Sequence, residues 1–567
     1  MGMSPAWEER AQSPAWALAL ALAFSLLAML GTPWGQVPHS AENDSIIDHS
    51  SMAQAAAQGL LEGQFPLRVM PQAQLKPCPG LSRYPIFQFY SQVPPLAGGL
   101  LVLAGLNPYH AVVLVAGLTF LLGFLGFRWL ASQAGSSPAA GLLAAAIYTL
   151  APYHLTDWHS RSALPELAAF AALPWVAAAT WGLLRAGGAG AMLRAILAWM
   201  LLMLSHPLFH ALGLLFMALL ALCLALPGRN WKGLLRAGGA YLAALALSAW
   251  FLMPGILLGR QMGIANNFHP QIAAVLTPLC ILFSPFNLGM PQCTTANMSL
   301  QVGAPLWAGW LAALILARSR RQALLLALAA AALLLVWAPF SIWDFLGPLQ
   351  VVQYPYRLLV FVCLAGALPA AEGWLALRAR HRGALVLLAL LALAGAWGLG
   401  RTPVEPVRPQ DLWQGIHGCR AVMPEDDYLM LPSSPGPEDL ERGRFRALDS
   451  SRGFEVSARD ATAALRALEP GPLLRARLAQ AQPGSVLLLP SPWYPGLYQV
   501  RINGQPAGYG RVGARLAVRL PGGAVDLDYR FRGLGWANWV SGLAWILLIV
   551  ALPLAWARRG KAGSGHG

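Results

Sequence analysis

The chain has 567 residues, 57% of them apolar and only 11% charged, against roughly 45–50% and 25% for a soluble globular protein. That composition excludes a soluble enzyme and a disordered chain, and six cysteines in this length exclude a disulfide-stapled mini-protein. The net charge of +15 is what the basic cytoplasmic loops of a membrane protein produce, more readily than a nucleic-acid site does.

A hydrocarbon core of roughly 30 Å takes about 20 apolar residues per helix. Apolar runs predict spans near 15–31, 109–127, 139–152, 165–184, 192–206, 208–226, 237–257, 304–318, 322–339, 357–376, 383–400 and 536–557. Glu8 and Glu9 precede the first run and no small-residue cleavage site follows it, so it is expected to remain as a helix. The stretch 94–106 is 13 residues long, opens with Pro94-Pro95 and holds three glycines. Leaving it out of the count puts the clusters Arg185/Arg194, Arg229/Lys232/Arg236, Arg318/Arg320/Arg321, Arg378/Arg380/Arg382 and Arg558/Arg559/Lys561 on one side. The positive-inside rule therefore predicts twelve spans, both termini cytoplasmic and a juxtamembrane or re-entrant helix at 94–106.

The expected fold is a polytopic α-helical membrane protein of about 12 transmembrane helices. Its transmembrane part covers 1–400, with outer loops 32–93, 153–164, 258–303 and 340–356. Residues 401–532 contain "GSVLLLP", "LYQVRING", "ARLAVRLP" and "AVDLDYRF", short alternating or β-rich runs divided by Pro, Gly and Asn turns. They predict a small extracytoplasmic α+β or β-sandwich domain, tied down by a final helix and cytoplasmic tail over 533–567.

Ionisable residues beside a bilayer are costly to desolvate, so a cluster on one face marks a site. The first outer loop offers His39, Glu42, Asp44, Asp48 and His49, followed by the amphipathic "MAQAAAQGLLEGQFP". Asp48 is expected immediately before a helix lying on the membrane, where it is either a cap or a functional carboxylate. The second loop, "APYHLTDWHSRSALPELAAF", offers Asp157, His159, Arg161 and Glu166; capping of the helix opened by Pro165 is enough to explain Glu166. Arg83, Arg161, Arg260 and Arg357 fall on the side that is usually depleted of cations, and a guanidinium fork suits phosphate; for Arg260 plain surface charge serves equally well. His206 and His210 are four apart in "SHPLFH", a spacing that suits core or interface histidines better than a shared metal. Cys280 with Cys293, and Cys78 with Cys419, are candidate outer pairs. Tyr84, Phe87, Tyr90, Tyr153, Trp158 and Tyr354 either line a sugar site or form an interfacial belt. The sequence carries no P-loop, GxGxxG or zinc signature to drive a pump.

The strings "G-x-F-P-x-R", "YPIFQFY…PPL", "PYHLTDWHSRSALPE", "SHPLFH", "VQYPYRLL" and "YPGLYQVRINGQ" resemble the bacterial membrane proteins labelled 6-pyruvoyl-tetrahydropterin-synthase-related. Those are similar in turn to the GT-C superfamily of integral-membrane glycosyltransferases. The resemblance runs over residues 40–531, and the chain has no His triad for the pterin enzyme's zinc. It implies transfer of a sugar from a polyprenyl-phosphate-linked donor to a lipid or glycan acceptor of the cell envelope. The reaction would take place at the outer face of the bacterial cytoplasmic membrane, with membrane lipid and no nucleic acid as partner. It places Asp48, or Asp44 four residues earlier, as the general base. Arg161, then Arg357 and Arg83, would face the departing phosphate, and His49, Tyr84, Asp157, His159, Glu166, His206 and Tyr354 would line the substrate. No cofactor is implied with certainty, and a divalent metal is left open. Two rival readings remain. One is a transporter or flippase for lipid-linked glycan, which calls for paired halves that the sequence lacks. The other is a non-catalytic polysaccharide-assembly subunit.

Overall fold

The computed structural model describes residues 10, 12–38, 45–70, 84–263, 299–316, 319–337, 343, 345–346, 352–396, 444–446, 455–457, 474–512 and 515–563. In chain order the helices are α1 (Pro14–Ala28), α2 (Ser45–Leu61), the single turn α3 (Ile86–Phe89), α4 (Val93–Leu103), α5 (Pro108–Gln133), α6 (Pro138–Thr149), α7 (Pro152–His159) and α8 (Leu164–Arg185). They continue as α9 (Ala189–Ser205), α10 (Pro207–Ala225), α11 (Trp231–Leu258), α12 (Ala304–Leu316), α13 (Arg320–Val336), α14 (Leu359–Arg380), α15 (Ala384–Gly395) and α16 (Gly535–Gly563). Among the described residues, five segments are long and apolar enough to cross a membrane: α5, α8, α10, α11 with the 3-10 turn that ends it, and α14 with the 3-10 turn that opens it. The stretch 94–106 falls in α4, whose 11 residues rise only about 16 Å at 1.5 Å per residue.

Two expectations are corrected. The loop 153–164 is largely helical: α7 occupies it, and every residue of α7 is buried. Asp48 lies inside the first turn of α2 and not ahead of it, because Ile46 and Ile47 already bury in the core beneath and draw the helix start upstream.

Helices in lipid associate through close packing and hydrogen bonds more than through the hydrophobic effect. α2 packs on α4 through small residues: a methyl on Gly98 or Gly99 would come within 2.8 Å of the Ala53 or Ala56 side chain. α12 crosses α14 so closely that a methyl on Gly373 would overlap the Gly309 carbonyl oxygen.

Helix breaks inside the bundle release carbonyls that have no water to turn to, and side chains from neighbouring elements take them up. Pro174 in α8 cannot donate to Phe170, whose carbonyl accepts from Tyr148 Oη at 2.7 Å. Pro254 in α11 likewise frees Trp250, whose carbonyl accepts from Gln88 Nε2 at 3.0 Å. At the α9–α10 break the Leu204 carbonyl accepts from the Gln92 backbone N–H and the Ser205 carbonyl from Ser91 Oγ, each at 2.8 Å. Ser541 of α16 inserts into the ladder of α11, accepting from Trp250 N at 3.0 Å and donating to Ala246 O at 2.9 Å. The "YPIFQFYSQ" string is thus a set of plugs for broken helices.

At one end of the bundle Glu372 accepts from Ser136 Oγ at 2.7 Å and Gln322 Nε2 at 2.6 Å and pairs with Arg321. Arg185 and Arg321 donate to the last carbonyls of the α5 terminus, Gln133 and Ala134, at 2.7 and 2.6 Å. The basic clusters at the C-terminal ends of α8 and α14 therefore share this end.

The β-rich part contains β1 (Arg444–Arg446), β2 (Glu455–Ser457), β3 (Leu474–Ala481), β4 (Val486–Pro492), β5 (Tyr498–Ile502), β6 (Gln505–Pro506), β7 (Gly510–Val512), β8 (Arg515–Arg519) and β9 (Gly523–Phe531). β1 pairs with β2, and the others form antiparallel sheets ordered β3-β9-β5-β6 and β4-β8-β7. Alternation along β9 buries Val525, Leu527 and Tyr529 against Leu487, Leu516 and Val518 of the smaller sheet. The same cluster includes Phe89 of α3 and Leu258 and Met262 at the end of α11, which seats the sheets on the helices.

Candidate active site

Tyr153 and Asp157 are four apart on one face of α7, and Arg161, two residues past the end of that helix, folds back onto them. Arg161 Nη1 meets Asp157 Oδ1 at 2.7 Å and Glu166 Oε2 at 2.9 Å. Ser162, with φ of 51°, turns the chain between α7 and α8 so that Glu166 enters in the first turn of α8. Its Oε1 accepts from Tyr153 Oη at 2.6 Å. A second guanidinium arrives from the 3-10 turn Pro355–Leu358: Arg357 Nε lies 3.5 Å from Glu166 Oε2. Arg357 Nη1 donates to Gln353 Oε1 at 2.8 Å and to the Val352 carbonyl at 3.2 Å. Arg161 lies over the ring of Tyr356 and Arg357 over that of Tyr354, 5.3 and 5.0 Å from their centroids.

Two acids and two guanidiniums make this cluster formally neutral, which is the condition for burying ions at all. Asp157, Arg161 and Glu166 are 0–2% exposed, whereas Arg357 is 13% exposed. Arg161 is therefore clamped between carboxylates, and Arg357 is the cation that carries the cluster's charge outward.

His206 stands at the break between α9 and α10, with its ring edge-on to that of Phe209 at a centroid distance of 4.9 Å. His49 Nε2 accepts from the Leu164 backbone N–H at 3.4 Å, and burial lowers its pKa to about 4. This contact docks the first turn of α2, with half-buried Asp48 beside His49, onto the turn that carries the charge cluster. His159 points elsewhere: it donates to the Ala28 carbonyl that ends α1, at 2.8 Å, and burial lowers it to about 4. Trp158 joins it there by donating to Thr32 Oγ1 at 2.9 Å. Tyr84 and Phe87 are buried in the core with Trp158, while Tyr90 stacks on His49 with ring centroids 6.2 Å apart. His210 bonds Tyr241 Oη at 3.1 Å, and no group of three His, Cys, Asp or Glu suited to a metal occurs among the described residues. Arg260 is exposed. His39, Glu42, Asp44, Arg83, Cys78, Cys280, Cys293 and Cys419 lie outside the described residues.

Arg68 has no role in the sequence reading, although it closes the "G-x-F-P-x-R" string. It donates to Gln88 Oε1 at 2.5 Å and to Asn538 Oδ1 at 2.8 Å, and covers the Trp250 ring. Glu372 was also missed; a lone carboxylate in the apolar run "LPAAEGWLAL" was the signal for it.

Among solved structures the chain is similar to the arabinofuranosyltransferase AftD from mycobacteria, at 20% identity and a TM-score of 0.42, over 73% of this chain and 27% of that one. It thus spans about a quarter of that enzyme's length. The Archaeoglobus fulgidus oligosaccharyltransferase is similar at 13% identity and a TM-score of 0.41, over 77% of this chain and 57% of that one. ArnT from Cupriavidus metallidurans, solved with undecaprenyl phosphate, is similar at 14% identity and a TM-score of 0.37, over 67% and 64%. No curated protein sequence matches. Residues 87–399, more than half of the chain, match the membrane-protein family described by the 6-pyruvoyl-tetrahydropterin synthase related domain, and the chain belongs to that family.

Proposed function

We propose that this protein is a GT-C-type membrane glycosyltransferase that moves a sugar from a polyprenyl-phosphate-linked donor to a cell-envelope acceptor at the outer face of the membrane. The observation that carries this reading is the buried Asp157–Arg161–Glu166–Arg357 cluster, joined through His49 to the turn that bears Asp48. The Glu166–Arg357 contact unites the N-terminal ends of α8 and α14, opposite the end where their basic clusters lie. That separation supports a twelve-span arrangement with both termini cytoplasmic, the charge cluster outside and residues 401–532 extracytoplasmic.

In this reading Asp48, or Asp44, takes the proton from an acceptor hydroxyl as its oxygen bonds to the anomeric carbon. The bond from that carbon to the phosphate oxygen breaks, and the electron pair leaves with the lipid phosphate. Arg357 faces the developing charge, which a preplaced cation stabilises more strongly at a low-dielectric boundary than in water. Arg161 positions Glu166, which in turn aims Arg357. Tyr354, stacked on Tyr356 with centroids 5.3 Å apart, holds the Arg357 face, and His206 at the α9–α10 break offers a ring nitrogen to the substrate.

The test is transfer from a panel of radiolabelled polyprenyl-phosphate sugars by the protein in lipid nanodiscs. Wild type should consume one donor, Asp48→Asn or Asp44→Asn should abolish transfer, and Arg357→Gln should cost at least about tenfold, as loss of one charge-assisted hydrogen bond does. Absence of transfer by wild type with every donor, together with unchanged binding of lipid-linked glycan in all three variants, would refute the enzyme reading.

A further inference from the structure

A cavity of about 190 Å³ lies between the loop 63–69 and the sheet formed by β3, β9, β5 and β6. Its place in the fold separates it from the charge cluster: Gln64, Phe65 and Arg68 line one wall, and Tyr498, Tyr529 and Arg530 line the other. Three features give it the character of a binding site.

Gln64 is only 8% exposed. Its Oε1 accepts from the Val69 backbone N–H at 3.4 Å, which fixes the orientation of the carboxamide. Arg68 is a largely buried cation whose hydrogen-bond acceptors, Gln88 and Asn538, are neutral; it makes no ion pair among the described residues. With two arginines and no acid in the lining, the cavity is donor-rich and positive. Phe65, 78% exposed, presents a bare aromatic ring at the rim. The volume is below the several hundred Å³ of sites for drug-sized ligands, which sets the occupant at a single ring.

We propose that this cavity binds one sugar residue carrying an anionic substituent, a carboxylate or a phosphate. The anion lies toward Arg68 and Arg530, and the apolar face of the sugar covers Phe65, while Gln64 holds the wall 63–69 in place through Val69. The site requires no transfer chemistry and stands whether or not the transferase reading does.

The experiment is saturation-transfer NMR on the full chain in nanodiscs with glucuronic acid, glucose 6-phosphate, glucose and inorganic phosphate, each titrated separately. One or both anionic sugars should bind at least about tenfold more tightly than glucose, the worth of one charge-assisted contact. The one that binds identifies the substituent. Phe65→Ala and Arg530→Gln, both at exposed side chains, should weaken that binding about tenfold or more. Binding of neither anionic sugar, equal affinity for glucose, binding of inorganic phosphate as tight as that of the sugars, or binding unaffected by Phe65→Ala and Arg530→Gln would each overturn the proposal.

Discussion

Replacing Glu166 by Gln removes one charge from the buried cluster while leaving its shape. The amide oxygen still accepts from Tyr153 Oη, now at 2.6 Å, so the change is electrostatic. The cluster goes from neutral to a net +1. Arg161 retains Asp157 at 2.7 Å, but Arg357 loses the carboxylate 3.5 Å from its Nε. Taking one partner from a buried pair costs about 3–5 kcal/mol, and exposures of 1% for Arg161 and 13% for Arg357 leave little solvent to relieve it. The measurement is equilibrium unfolding in mixed micelles, followed by tryptophan fluorescence, for Glu166→Gln, Arg357→Gln and the double variant. The double variant restores neutrality, so it should be more stable than the two single losses summed, by about 1–3 kcal/mol. Additive losses, or a loss below about 1 kcal/mol for Glu166→Gln, would refute the charge-balance argument.

Gln88→Leu should destabilise by at least about 2 kcal/mol, since the Trp250 and Phe251 carbonyls and Arg68 all lose a partner. In a Pro254→Ala background, where the backbone can again reach Trp250, the same substitution should cost less; an equal cost would refute the plug role. His49 and His159, lowered to about 4 by burial, stay neutral when folded but take up a proton below about 6.5 when unfolded. Stability should therefore be full above about pH 6.5 and fall as pH drops towards 4, by roughly 3 kcal/mol per histidine. His159→Gln should flatten that slope by about one proton, and an unchanged slope would refute the assignment.

Much of this arrangement was legible in the sequence because the responsible forces are local. Alternation and turn residues marked β4, β5, β8 and β9, and Asn503-Gly504, both at positive φ, form the turn between β5 and β6. The apolar runs marked α5, α8, α10, α11 and α14, and Pro165 with Glu166 marked the start of α8. The pairing of Glu166 with Arg357 was not legible, since it joins residues 191 apart through a bundle whose helix order the sequence does not state. The sequence singled out Arg161 but not its pairing with both Asp157 and Glu166, which depends on the turn at Ser162 bringing the start of α8 back onto α7. The roles of Gln88, Ser91 and Ser541 depend on which carbonyls the helix breaks release, a property of the partner helix and not of the residue itself.

The two ion-pair sets at opposite ends of the bundle are chemically alike but can be separated by what they do. Glu372 ties α14 to α13 and to the α5–α6 turn through Arg321, Gln322 and Ser136, and none of those groups belongs to the aromatic assembly that surrounds the other cluster. Arg357, in contrast, sits on Tyr354, donates to Gln353, whose backbone is held at a φ of 61°, and reaches 13% exposure, so backbone strain gathers beside the one partly exposed cation of the cluster. Glu372→Gln should therefore lower stability and leave the donor KM of the folded fraction unchanged. Arg357→Gln in the stabilising company of Glu166→Gln should recover stability without recovering transfer. If the neutral double variant regained wild-type transfer along with its stability, Arg357 would be reduced to a counter-ion, and the cluster to a joint between α8 and α14.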